Sequence, residues 1–258
     1  MELLLVLVGI ACIAAVLAVR AARRDPAKST LWPQGVPGFD FAGQSLYRYT
    51  RGGDYHDFFI PPGDAEGRMA VAVGDVAGHD ALAAKLMHLA RASVRTHAAP
   101  PGQLADMLGR INRDLARQMR AGRFMTLFLA VLVAGSRSIH WVNAGQGPAI
   151  AYYPETDRFR EVGGPDIPLG IDPDWRFHEL EHSGWPTGAL LVIGTDGVWE
   201  TRNPTGEMYG IDRLQRLVRA TCTRSAGEIV AAVTADLAAF RGGRPQADDV
   251  TLVVVKAV

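Results

Sequence analysis

Cysteine is nearly absent: the chain has only Cys12 and Cys222. Two cysteines without metal-ligand spacing exclude a disulfide framework and a thiolate zinc site. No serine or cysteine sits in a recognisable nucleophile motif, and Cys222, inside a helical stretch, is read as structural. Neither sign of charge is in excess, with 27 basic and 27 acidic side chains, so there is no bulk basic field for nucleic acid. Internal repeats and low-complexity tracts are also lacking. What remains is a chain of 258 residues, 48% hydrophobic, enough for a large core.

One long apolar run is present, from Leu3 to Val19, followed by Arg20, Arg23, Arg24 and Lys28. Its length lies within the range of a spanning helix. A cleaved secretory signal would carry its cations before the apolar stretch, whereas here they all follow it. A transmembrane anchor over residues 1–20 is therefore expected, with the N-terminus outside and the rest cytoplasmic, at a bacterial inner membrane. Residues 21–38, rich in charge, proline and small side chains, are expected to be a juxtamembrane linker. Residues 39–258 then form one folded domain.

Within that domain strand-like and helix-like segments alternate. Phe39 to Thr50, Tyr55 to Ile60 and Arg68 to Gly74 are expected strands, followed by helices near Ala81 to Thr96 and Gly102 to Arg120. Met125 to Ala134, Ser138 to Asn143 and Ala149 to Tyr153 suggest a three-stranded meander. Arg176 to His182 and Leu190 to Thr195 continue the β content. Two late helices, Ile211 to Ala220 and Ala226 to Phe240, precede a last strand at Val250 to Lys256. The order predicts an α+β fold with helices covering packed sheets.

Four acidic patches sit at the ends of these strand-like runs, each beside glycine or a second aspartate. They are Gly52-Gly53-Asp54-Tyr55-His56-Asp57, Gly74-Asp75-Val76-Ala77-Gly78-His79, Thr195-Asp196-Gly197 and Asp248-Asp249-Val250-Thr251. One aspartate in a turn is ordinarily a capping residue. Four at sheet edges can converge on a hard divalent cation, which prefers oxygen ligands. The pattern points to metal-dependent hydrolysis of a phosphate.

These motifs, with Phe124-Met125-Thr126-Leu127-Phe128, Asn143-Ala144-Gly145, Pro168-Leu169-Gly170 and Thr195-Asp196-Gly197-Val198-Trp199-Glu200, give the chain a family likeness. From Ser45 to Val255 it resembles the bacterial metal-dependent serine phosphatases related to the PP2C class. The branch is the one that includes the sporulation phosphatase and the stress-response sigma-factor phosphatases. The resemblance implies a four-layer α-β-β-α sandwich with two Mn²⁺ or Mg²⁺ ions at one edge. Asp75 would bridge the ions, and the backbone carbonyl of Val76 would complete one shell. Asp196 and Asp248 would bind one ion and Asp54 the other, directly or through water. Asp249 and His79 would support from outside the ligand shell.

Two cations lower the pKa of a shared water and offset phosphoryl charge during in-line attack. The expected substrate is phosphoserine or phosphothreonine on a signalling protein, such as an anti-sigma-factor antagonist. A pseudophosphatase scaffold and a small-molecule phosphohydrolase are the alternatives. His79 suits either a general acid or a turn residue, and His56 a surface strand position. Arg51 or Arg123 could grip phosphate through a bidentate contact. Two positions depart from the family pattern. Asp80 stands where glycine is common and is placed to cap the helix at Ala81. Gln146 stands where histidine is common.

Overall fold

Along the central strands successive side chains enter two different apolar layers, which explains why these segments are apolar without interruption. The computed structural model describes residues 36–49, 52–61, 67–78, 80–119 and 122–258. In chain order the elements are β1 (Phe39–Leu46), β2 (Asp54–Phe59), β3 (Arg68–Val76), α1 (Ala81–His97) and α2 (Leu104–Ala116). Then come β4 (Met125–Val133), β5 (Ser138–Ala144), β6 (Ala149–Tyr153), β7 (Arg158–Val162), β8 (Leu180–His182) and β9 (Leu190–Gly194). The last are α3 (Asp196–Glu200), α4 (Ile211–Thr221), α5 (Ala226–Arg241) and β10 (Val250–Ala257).

Two five-stranded sheets form, in the orders β1-β10-β9-β6-β7 and β2-β3-β4-β5-β8. Every pairing is antiparallel. In β4, Leu127, Leu129 and Val131 face α1 and α2, packing with Leu86, Leu108 and Ile111. In β10, Val250, Leu252 and Val254 face α4 and α5, packing with Leu214, Val218 and Ile229. The alternate residues, including Phe128, Leu132, Val253 and Val255, are also buried. They lie on the faces where the sheets meet, as the Phe41 and Phe58 rings do, with centroids 4.8 Å apart. Helices, sheet, sheet, helices is the expected layer order.

The meander does not continue through β6. Asn143 Oδ1 accepts the Gln146 N–H at 2.8 Å, Gly145 takes φ +69°, and Pro148 has no N–H to extend a ladder. The chain leaves β5 there and crosses to the other sheet, where β6 lies between β9 and β7. The strand expected from Arg176 is confined to Leu180–His182. Upstream, the His178 N–H donates to Asp166 Oδ2 at 2.9 Å instead of to a neighbouring strand. Asp80 caps α1 as expected, accepting from the Ala83 N–H at 2.9 Å.

Residues 36–38 form a turn ahead of β1, with Val36 buried. The expected anchor at residues 1–20 and the linker up to residue 35 lie outside the described residues. Among the described residues no helix is long and apolar enough to cross a membrane.

Candidate active site

The register of β2 against β3 sets two carboxylates face to face: Asp54 is the cross-strand partner of Asp75. Directly opposed like charges destabilise an antiparallel pair, so this placement works against folding unless a proton or cation relieves it. Asp54 is 2% exposed. Burial first, then the Asp75 charge, holds its carboxyl well above the usual carboxylate range, while hydroxyls of Thr195 and Thr251 work the other way. Burial also raises Asp75, to about 7, with the charges of Asp196 and Asp248 adding to it. Asp196 is raised by burial, then by Asp248 and Glu200. Aspartates from four separate segments therefore share one electrostatic environment.

Neighbouring polar groups fix these positions. Thr195 Oγ1 donates to Asp54 Oδ2 at 2.7 Å and accepts the Thr251 N–H at 3.0 Å, joining β2 to the edge formed by β9 and β10. Asp249 is buried, and its two oxygens accept the backbone N–H groups of Arg48 at 2.7 Å and Gly53 at 3.1 Å. Asp248 is exposed, and its Oδ1 accepts the Asp249 N–H at 2.8 Å. Asp196 opens the one-turn helix α3, which ends at Glu200.

Glycine is required at two close approaches. A Cβ on Gly197 would lie 1.8 Å from the Asp249 carbonyl oxygen. A Cβ on Gly53 would meet Val76 O at 2.6 Å, Asp75 Oδ1 at 2.9 Å and Gly78 O at 3.0 Å. Three oxygens crowd one small volume at Gly53, two of them from the turn that carries Asp75. Gly53→Ala is expected to cost about 1–3 kcal/mol by overpacking and to displace Asp54 from Asp75. Denaturant unfolding alongside a turnover assay measures both effects.

The pattern described as Stage II sporulation protein E (SpoIIE) matches residues 65–258. The chain belongs to the SpoIIE family. Its domain is of the PP2C-type serine phosphatase class. It is 26% identical to the phosphoserine phosphatase RsbU of Bacillus subtilis over 89% of its own length. The chain spans 67% of that relative and 35% of the next. The SiaA-PP2C domain of Pseudomonas aeruginosa has the same fold, with TM-score 0.73, 22% identity and full coverage of both chains. RsbX in complex with magnesium also shares it, with TM-score 0.62 and 15% identity over 85% of this chain and 96% of that one.

The remaining positions in this SpoIIE-family domain are individually placed. Arg123 lies against the Asp75 turn, donating to Ala77 O at 3.1 Å and Asp80 Oδ2 at 2.6 Å. Gln146 is buried; its Nε2 donates to Gly194 O at 2.9 Å and its Oε1 accepts from Thr126 Oγ1 at 2.7 Å. It thus joins β4 to β9 behind the carboxylates. His56 is not a surface residue. It lies between the sheets, 2.8 Å from Ser45 Oγ, and burial lowers its pKa to about 4. His79 and Arg51 lie outside the described residues. The supporting roles of Thr195, Thr251 and Ser45 were not legible in the sequence, because a single hydroxyl residue carries no spacing signal.

Among the described residues no three His, Cys, Asp or Glu side chains stand close enough to hold one ion as placed. The donor chemistry nevertheless suits a hard cation. The available groups are carboxylate and carbonyl oxygens, and the carboxylates repel one another at short range.

Proposed function

We propose that the chain is a metal-dependent protein phosphatase that hydrolyses phosphoserine or phosphothreonine on a cytoplasmic signalling protein. The observation that carries this reading is the convergence of Asp54, Asp75, Asp196 and Asp248, with Asp75 raised to about 7 by burial and by its neighbours' charges. An acidic cluster with perturbed carboxyls, built at the expense of stability, marks a functional site. Asp54, Asp75, Asp196, Asp248 and the Val76 carbonyl would hold two Mn²⁺ or Mg²⁺ ions. Bound there, the cations supply charge that favours ionisation of water and offsets negative charge on the phosphoryl group.

The chain's own residues do the positioning. Thr195 orients Asp54 through its hydroxyl, and Asp249 ties the loop bearing Gly53 to the end that bears Asp248. By likeness to RsbU, itself a phosphoserine phosphatase, the proposed substrate is a phosphorylated regulator of the anti-sigma-factor-antagonist kind. The apolar run at residues 3–19 supports anchoring at the inner membrane with the domain in the cytoplasm.

The test is hydrolysis of an aryl phosphate by the full chain with Mn²⁺, Mg²⁺ or chelator, beside Asp196→Asn. Metal-dependent turnover reduced at least about a hundredfold in the variant is expected, beyond typical outer-shell losses. Undiminished turnover in Asp196→Asn would sink the proposed site. A folded protein that binds Mn²⁺ but turns over neither aryl phosphate nor phosphopeptides would be a scaffold instead.

A further inference from the structure

Beside the acidic cluster lies a groove of about 190 Å³ lined by side chains of both charges. Its lining includes Asp196, Asp248 and Glu200 together with Arg202, Arg241 and Arg244. Arg202 lies in the loop following α3, Arg241 is the last residue of α5, and Arg244 lies in the loop after it. Five arginines elsewhere, Arg91, Arg95, Arg117, Arg123 and Arg219, pair with aspartate. The three groove arginines have no such partner among the described residues.

Their hydrogen bonds go to neutral oxygens. Arg202 Nη1 donates to Gly206 O at 2.8 Å, Arg244 Nη1 to Asn203 O at 2.7 Å, and Arg241 Nη1 to Gln246 Oε1 at 3.3 Å. Arg241 Nε is buried and has no hydrogen-bond partner. A guanidinium offers five N–H donors, so most of this donor capacity is unused. Three guanidiniums without a carboxylate partner in one groove leave donors available to an anionic group of a ligand.

We propose that this groove binds acidic side chains flanking the phosphorylated residue of a protein substrate. The inference rests on the phosphatase reading and adds a substrate class to it. A segment that places its phosphoryl group at Asp75 and Asp196 runs on along a groove that begins at Asp196 and Asp248. Its neighbouring residues then meet the arginines, which form bidentate bonds with carboxylates. Such complementarity selects partners more than it drives chemistry.

Phosphoserine peptides of one sequence, with two flanking glutamates, glutamines or lysines, provide the test on the full chain with Mn²⁺. The expected kcat/KM is roughly tenfold higher for the glutamate peptide than for the glutamine peptide at low ionic strength, and the gap shrinks with salt. Arg202→Gln with Arg244→Gln is expected to bring the ratio close to one, and R202E with R244E to favour the lysine peptide. Because the readout is a ratio within each variant, partial loss of folded protein does not affect it.

A second measurement follows anisotropy of a labelled, unphosphorylated glutamate peptide in chelator, where no turnover contributes. Arginine-dependent binding without hydrolysis of any peptide would uphold the groove and overturn the phosphatase reading. Hydrolysis with equal preference for all three peptides would overturn the groove and leave the phosphatase reading standing. An equal loss for every peptide in the glutamine variant would also overturn it, because the arginines would then serve the phosphoryl group or the fold.

Discussion

Asp75→Asn is expected to abolish turnover and, in chelator at pH 8, to make the protein more stable than the wild type. Asp75 is held up to about 7 by burial and by the charges of Asp196 and Asp248. In the unfolded chain the same group titrates near about 3.9. Between those values the folded state binds a proton that the unfolded state has released, so stability falls as pH rises. Above about pH 7 the cost is complete, of the order of 2–4 kcal/mol for a shift of this size. Asparagine has the same shape and never ionises, so the variant escapes that cost.

The melting temperatures of the two proteins in chelator should therefore be close near pH 4 and separate toward pH 8. The variant should lead by roughly 5–10 °C at the upper end. Mn²⁺ should reverse the order, because a ligand that binds only the folded state stabilises by mass action and the variant lacks the central carboxylate. Scanning calorimetry at both pH values, with and without Mn²⁺, reads all four conditions. A variant less stable than wild type at pH 8 in chelator would show that Asp75 is a structural hydrogen-bonding residue.

The same electrostatics explains why the site was legible in sequence while its supports were not. Asp54, Asp75, Asp196 and Asp248 occupy strand ends beside glycine or a second carboxylate, a pattern that turn chemistry alone does not demand four times over. Most strand and helix positions were equally plain, because strands buried on both faces are apolar throughout. β7 was missed because it is an edge strand with Arg158, Arg160 and Glu161 exposed, leaving no apolar alternation. Thr195 stands at the N-cap of α3, yet its hydroxyl goes to Asp54 and makes no cap bond to that helix. Asp57 looked like one more member of the first acidic patch, yet it points away from Asp54 toward α1. Which side of β2 a carboxylate serves depends on what packs above that face, and short motifs do not encode it.

Asp57 carries the second large expected effect. It is 1% exposed on the helix-facing side of β2, between Tyr55 and Phe59. Arg95 grips it in bidentate fashion, Nε to Oδ2 at 2.6 Å and Nη2 to Oδ1 at 2.7 Å, and Arg91 Nε adds a bond at 3.1 Å. Burial pushes the carboxyl up, but the hydrogen bonds from Arg95 and Arg91 outweigh it and leave the pKa below its ordinary value. The stability this group contributes is therefore present above about pH 4 and lost as pH falls through the folded value. Arg91→Ala with Arg95→Ala would leave the carboxylate buried without its cations, at a cost of about 3–5 kcal/mol at pH 7. Removing both arginines also reverses the pH response: the orphaned carboxyl takes up a proton, so the double variant gains stability between pH 7 and pH 5. Asp57→Asn added to the double variant should restore much of the loss, because the stranded charge is what costs most. Urea unfolding of the three proteins at pH 7 and pH 5 measures the cycle. Equal stability of the double and triple variants would place the loss in helix packing and not in the buried charge. The same bonds hold α1 to the strand that begins with Asp54, so a loosened helix should also lower metal-dependent turnover at temperatures where the protein is still folded.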